Sequence, residues 1–228
     1  MTVQGQHRIH VCLVDDHLPT REALKEAIQL QSDMTVCSEA GSVADALAAL
    51  RLCHPDVLIL DLILPDGNGW ALLEHLRRVR ALPPTLVLSV CDESLYARRL
   101  LRAGARGYLT KEEPLDTVLE AVRSIHCNRL VASERITSQL VADVVGRDTC
   151  QTQPQPRAGA MPVLTDREML VFGLLATGLT NKEMAAQLSL SEKTVSTHKI
   201  NLMKKLGVNS PQKLAKCYQT HLRSHPRA

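Results

Sequence analysis

Aromatic side chains are nearly missing from this sequence of 228 residues, which has one Trp, one Phe and three Tyr. With 45% hydrophobic residues a core can form, but it must be aliphatic. The shortage also argues against a reader of single-stranded nucleic acid, which stacks bases on aromatic platforms. No apolar run approaches the roughly 18 residues of a membrane-spanning helix. The opening segment MTVQGQHRIH has no apolar stretch of the kind a secretory signal carries, because the first apolar run is short and stops at two Asp. The seven Cys are odd in number and include no C-x-x-C pair. Cys12 and Cys37 fall in aliphatic, strand-like runs, where a small buried thiol is the ordinary state. Reduced cysteines and a cytoplasmic location are therefore expected, not a disulfide framework. The nine His include no H-E-x-x-H arrangement, and no zinc site is expected.

The net charge of +3 conceals an asymmetry. Residues 1–146 carry 15 Lys and Arg against 19 Asp and Glu, a net of −4; residues 163–228 carry 10 against 4, a net of +6. A small basic part joined to a mildly acidic one suggests a polyanionic partner for the second. Between them the segment GRDTCQTQPQPRAGAMP, residues 146–162, holds three Pro, two Gly and three Gln with no apolar period, and reads as a flexible linker.

Residues 7–127 alternate short aliphatic runs with helical patterns. Strands are expected to end near Val14, Ala40, Leu60, Ser89 and Leu109, with helices at about 19–30, 43–52, 71–80, 95–103 and 114–126. Ser42 and Asp92 stand where helix N-caps belong. Five βα units in series imply an α/β fold, a doubly wound five-stranded parallel sheet with helices on both faces. Residues 129–145 read as one further helix.

Carboxylates end two of the buried runs. Val57-Leu58-Ile59-Leu60 stops at Asp61, and the run from Ile9 to Val14 stops at Asp15 and Asp16. The carboxyl ends of parallel strands are where open α/β sheets build sites, and three carboxylates there can form a hard-oxygen pocket for Mg²⁺. Each Asp taken alone is more often a strand-ending or capping residue. The third run, Thr85 to Ser89, ends in a hydroxyl, and the fourth, Gly107 to Thr110, is followed by the ammonium of Lys111.

This combination resembles the receiver domain of two-component response regulators: an acidic pair, an Asp followed by x-x-x-Pro-x-x-x-Gly, a Ser or Thr, and an aromatic three residues before a Lys. The resemblance covers roughly residues 7–127 and implies a flavodoxin-like 2-1-3-4-5 strand order. It also implies phosphorylation of Asp61. Mg²⁺ would be held by Asp16, Asp61 and the backbone carbonyl of Ile63, with Asp15 acting through water. Lys111 and Ser89 would bind phosphoryl oxygens, and Ser89 and Tyr108 would form a switch. Pro65 and Gly69 would shape the loop beyond Asp61. An aspartate-nucleophile phosphatase needs a second Asp two residues later; here that residue is Ile63, no general acid is at hand, and no enzyme activity is expected.

Residues 163–228 read as four helices. Thr165 and Glu168 form a capping box opening the first, which ends at Gly178; 180–188 is a short second helix. Ser191 caps a longer third helix that ends at Gly207, and Ser210-Pro211 opens a fourth. Two helices joined by a tight turn form a helix-turn-helix, an all-α second domain. LTDRE, GLTNKEMAAQL, LSEKTVSTH and KKLGV resemble the LuxR-type DNA-binding domain of the NarL/FixJ class. In the third helix Val195, Leu202, Met203, Leu206 and, in part, Ile200 carry the apolar period and are expected to pack inward. Lys193, Ser196, Thr197 and Lys199 are the candidates for the groove; Lys182 and Thr194, near helix starts, are better placed for phosphate. His198 is either a phosphate contact or a surface filler.

These expectations combine into a regulator of 7–127 (receiver), 128–162 (helix and linker) and 163–228 (DNA-binding domain). Its partners would be a sensor histidine kinase, duplex promoter DNA and a second copy when phosphorylated, with RNA polymerase as a further candidate and no membrane. The competing reading is an orphan LuxR-type factor whose receiver-like domain responds to protein contact alone.

Overall fold

The computed structural model describes residues 8–91, 93–145, 164–176, 178–188, 190–210 and 213–214. The expected linker 146–162 and the N-cap at Asp92 lie outside them. The chain divides into two compact units, chiefly at Ala132 and Ser133.

In the first unit β1 (Ile9–Val14), β3 (Val57–Leu60) and β6 (Thr85–Ser89) are aliphatic runs buried on nearly every residue. That is the pattern of strands covered on both faces. β2 (Met34–Ala40) is more polar and mostly half-buried, as suits an edge. With β7 (Gly107–Thr110) they form one sheet of order β2-β1-β3-β6-β7, every neighbouring pair parallel. Counted over these five strands, this is the expected flavodoxin-like order.

Parallel neighbours need crossovers, supplied here by α1 (Leu18–Gln29), α2 (Val43–Leu52), α3 (Gly69–Arg78) and α4 (Glu93–Ala103); α5 (Leu115–His126) follows the last strand. Leu24 and Ile28 of α1 and Val118, Val122 and Ile125 of α5 share a core with Val11, Leu13, Ile59 and Leu86. The alternate residues Cys12, Val14, Leu58, Leu60 and Val87 are as deeply buried on the opposite face. Ser42 caps α2 by accepting from the Asp45 amide, as expected.

Four features depart from expectation. Asp61 is followed by a tight hairpin of β4 (Ile63–Leu64) and β5 (Gly67–Asn68). Asn68 then caps α3, which starts two residues early, at Gly69. Residues 129–133 are not helical. Val131 accepts from the Tyr108 amide at 3.0 Å and donates to the Arg106 carbonyl at 2.9 Å, filling the free edge of β7 with a β-branched residue, and α6 (Glu134–Val145) begins only afterwards. Cys37 is not a lone thiol: it is disulfide-bonded to Cys53, 16 residues on, with Cα atoms 6.7 Å apart. The tight β2–α2 return brings the strand back against the C-cap of its own helix. Cys12 is a buried thiol, as expected.

In the second unit the described helices are α6, α7 (Asp166–Ala176), α8 (Asn181–Gln187) and α9 (Glu192–Leu206). The capping box at Thr165 and Glu168 is formed, with bonds of 2.8 and 3.3 Å. Thr180 and Glu183 make a second one on α8. Ser191 caps α9 through the Thr194 amide, and Gly207 ends it in the left-handed conformation, φ 65°, that glycine adopts without steric cost. Met184, Leu188, Val195, Leu202 and Leu214 are buried. Of the expected fourth helix only Lys213 and Leu214 are described; the Lys213 amide donates to Ser210 Oγ at 3.2 Å. Among the described residues no helix is long and apolar enough to cross a membrane.

Candidate functional site

The register of the sheet assembles the acidic site. Val14 of β1 pairs with Leu60 of β3, so Asp15 and Asp61 leave the sheet side by side. Their amides continue the ladder, Asp61 to the Val14 carbonyl at 2.8 Å and Asp15 to the Ala40 carbonyl at 3.1 Å. Ser89 of β6 pairs with Thr110 of β7, and the Lys111 amide donates to the Ser89 carbonyl at 3.0 Å. Asp15, Asp61, Ser89 and Lys111, spread over 97 positions of sequence, thus share one edge of the sheet.

Lys111 Nζ lies 2.6 Å from Asp15 Oδ2 and 2.7 Å from Asp61 Oδ2, bridging the two carboxylates. Asp61 Oδ1 accepts from the Ile63 amide at 3.2 Å, and Asp15 Oδ1 from the His17 amide at 2.8 Å. Arg21 donates to the Asp15 carbonyl at 2.6 Å. Asp15 and Asp61 are each 3% exposed, whereas Asp16 is open to solvent. One oxygen from each of Asp15, Asp16 and Asp61 lies within 4.8 Å of the others.

Burial pushes the Asp61 carboxyl up to about 6; Lys111 pulls it back and the Asp15 charge adds to the rise. Asp16 is also raised, first by burial and then by Asp15. Burial acts to lower Lys111, but the attraction and hydrogen bonds of Asp61 and Asp15 together outweigh it and hold the ammonium above its usual range. Three carboxylates thus face one ammonium, and two of them are harder to ionise than usual. The cluster is short of positive charge, and its donors are hard oxygens, so it fits a small divalent cation such as Mg²⁺.

The loop beyond Asp61 is held in place. A Cβ on Gly69 would fall 1.9 Å from the Asp61 carbonyl oxygen, so only glycine permits this approach. The Asp66 carboxylate accepts from the Val43 and Ala44 amides at 2.7 and 2.9 Å, capping α2 from across the loop. Burial acts to raise Asp66, but these amides and its own outweigh it and hold the carboxyl below its usual value. Nothing in the sequence marked this role, since an Asp between Pro65 and Gly67 reads as an ordinary turn residue. Ser89 is fully buried at the end of β6. Tyr108 is buried too, and its hydroxyl donates to the Cys91 carbonyl at 2.7 Å in the turn after β6.

The second unit sorts the expected DNA contacts into two groups. Lys182, Lys193 and Thr197 are exposed. Thr194 is half-buried and bound up in the α9 cap, its hydroxyl 2.8 Å from that of Ser191. Ser196 and Lys199 are half-buried and turned towards α8: Asn181 Nδ2 donates to Ser196 Oγ at 3.2 Å, and Lys199 Nζ donates to Asn181 Oδ1 at 3.1 Å. The tether Asn181 was not anticipated, because no local pattern links residues 15 and 18 positions apart. His198 is half-buried. Ile200, expected to face partly inward, is 47% exposed, since Val195 and Leu202 define the inward stripe and Ile200 lies off it.

A parallel-sheet unit with an acidic cluster at its carboxyl edge, followed by a helix-turn-helix unit, defines the architecture of a DNA-binding signalling regulator. Residues 11–123 match the response regulator receiver domain, and residues 162–218 match the bacterial regulatory proteins of the luxR family. The chain is similar to the nitrate/nitrite response regulator protein homolog of Haemophilus influenzae, with 35% identity over 90% of this chain and 93% of the relative. It is 37% identical to the transcriptional regulatory protein UhpA of Salmonella typhimurium, over 91% of this chain and 96% of the relative. Among solved structures, RcsB from Salmonella enterica serovar Typhimurium aligns over 94% of this chain and all of the other with a TM-score of 0.62; at 21% identity this speaks to the fold. The chain belongs to the response regulators with a LuxR-type DNA-binding domain, phosphorylation-controlled transcriptional regulators of two-component systems.

Proposed function

We propose that Asp61 is the phosphoryl acceptor, taking the group from a histidine kinase in the cytoplasm, and that the receiver so modified controls promoter binding through α9. The observation that carries this reading is the convergence of Asp15, Asp16, Asp61 and Lys111 on one sheet edge. The receiver is assigned to residues 7–127, the connecting helix and linker to 128–162 and the DNA-binding domain to 163–228.

An Asp61 oxygen attacks the phosphorus of a phosphohistidine; the O–P bond forms, the P–N bond breaks, and the histidine leaves. The nucleophile and the incoming group are both anionic, so the work of the site is charge neutralisation and alignment. Asp16, Asp61 and the Ile63 carbonyl, with Asp15 through water, would hold Mg²⁺, and a bound Mg²⁺ would supply that neutralisation. Lys111, already 2.7 Å from Asp61, passes its charge to a phosphoryl oxygen. The Ile63 amide fixes the carboxylate's other oxygen, and Gly69 lets the loop close over Asp61. Ser89 bonds the phosphoryl group from the end of β6. Its movement biases the Tyr108–Cys91 hydrogen bond and the turn into α4, which is the two-state element. None of these residues serves as a general acid for turnover, so the unit acts as a switch and not as an enzyme. Lys182, Lys193 and Thr197, which are exposed, face the DNA side, while Thr194 in the α9 cap and Ser196 and Lys199 on the Asn181 tether support that surface from within. Dimerisation on phosphorylation lets two recognition helices engage half-sites on one duplex.

The test uses full-length protein, Mg²⁺ and acetyl phosphate, read by intact mass. The parent should gain one phosphoryl mass and Asp61→Ala none. Undiminished labelling of that variant would refute the assignment, and an unlabelled parent would favour control of the receiver by protein contact alone.

A further inference from the structure

The outward face of α9 is polar except at one position. Opposite the buried Val195 and Leu202, the exposed residues are Lys193, Thr197, Ile200, Asn201 and Lys204. Four of these suit water or phosphate. Ile200 does not, yet it is 47% exposed; among the described residues from 164 onwards it is the one large apolar side chain left exposed. Thr197, its neighbour at i−3, has its hydroxyl proton committed to the Lys193 carbonyl at 2.9 Å, within the helix's own backbone. The group Thr197 still has to offer a partner's apolar surface is its methyl. Thr197 and Ile200 therefore form a short apolar ridge, with Lys193 one turn before it and Lys204 one turn after it. Of the other candidates on this helix, Ser196 and Lys199 are already engaged by Asn181.

We propose that Ile200, with Thr197 beside it, reads the C5-methyl group of thymine in the major groove, which makes Ile200 a specificity-determining residue. This rests on the reading that α9 enters that groove. The charge pattern suits the occupant: lysines at both ends of the ridge meet the phosphate walls, and the apolar centre meets the groove floor. Donors and acceptors fill that floor, and the thymine methyl is its apolar group. Among the described residues Ile200 is left 47% exposed, and a lone exposed isoleucine is common enough on protein surfaces that the test must separate the two cases.

Full-length protein treated with Mg²⁺ and acetyl phosphate selects its preferred sequence from a random duplex library. That duplex is then remade with each thymine replaced in turn by deoxyuridine, which lacks only the methyl. The parent should lose about fourfold in affinity at one or two positions per half-site, the effect of exposing one buried methyl. Ile200→Ala, at an exposed helical site, should bind the thymine duplex about fourfold more weakly and show no further loss at those positions. Asn201→Ala, its exposed neighbour, should keep the parent's deoxyuridine profile. If the parent is indifferent to deoxyuridine everywhere, or if Ile200→Ala keeps the parent's profile, the assignment of Ile200 is overturned. If the parent selects no duplex at all, the DNA-binding reading itself fails, a result visible before any thymine is replaced.

Discussion

Replacing Asp61 by Asn should stabilise the receiver unit in the absence of divalent cations, even though it removes an ion-pair partner of Lys111. Burial raises the Asp61 carboxyl from 3.8 to about 6. One pKa unit corresponds to about 1.4 kcal/mol, so the ionised carboxylate costs the folded state on the order of 3 kcal/mol relative to the neutral acid. The folded form binds the proton more tightly than the unfolded chain. Stability therefore falls as pH rises from about 4 to about 6, and the whole cost is present above that window. Asn mimics the protonated side chain and never ionises. Its benefit should approach 3 kcal/mol at about pH 7.5 and vanish near pH 4. Lys111 keeps Asp15 as a partner in the variant. The assay is urea unfolding in chelator, followed by the fluorescence of Trp70. It is the only Trp in the chain and is buried on α3, so it reports on this unit alone. Equal midpoints for parent and variant at neutral pH, or a gain of the same size at both pH values, would refute the account of an under-neutralised acidic site.

With Asp61 holding Mg²⁺ as proposed, the proton competes with the cation for that carboxylate, and Mg²⁺ affinity should fall by a factor approaching about tenfold per pH unit below about pH 6; a flat calorimetric profile from about pH 5 to 7 contradicts this. Asp66→Ala leaves two α2 amides without their acceptor and should cost about 1 kcal/mol in the same Trp70 assay, the usual worth of a helix cap; an unchanged midpoint would show that the loop is not latched to α2. In protein purified without reductant, alkylation under denaturing conditions should label two fewer cysteines before reduction than after, with Cys37 and Cys53 the pair. Reducing that pair should lower stability by about 3 kcal/mol, the expected effect of opening a loop of 16 residues; full labelling without reduction contradicts the pairing.

What could be read from the sequence alone is what local chemistry specifies. Aliphatic runs ending at Val14, Leu60 and Ser89 announce buried parallel strands, because covering a strand on both faces leaves no place for polar residues. Thr165 with Glu168, Ser191 and Gly207 mark helix ends, because caps are satisfied within a few residues. Asp15, Asp16, Asp61 and Lys111 stand out as a set because they sit where such runs stop. Tertiary structure decided what these residues do to one another. The β1–β3 and β6–β7 registers place Lys111 between Asp15 and Asp61, and the burial that follows raises the Asp61 carboxyl. The same holds for Cys37 with Cys53, Asp66 with α2, Val131 on the edge of β7, and Asn181 with Ser196 and Lys199. Each joins residues from different elements, and no periodicity carries that information. Ile200 shows the limit within one helix: its apolar character suggested burial, but its angle relative to Val195 and Leu202 puts it in solvent. Composition and spacing specify elements and their ends; which side chains meet, and at what electrostatic cost, is settled only when the elements pack.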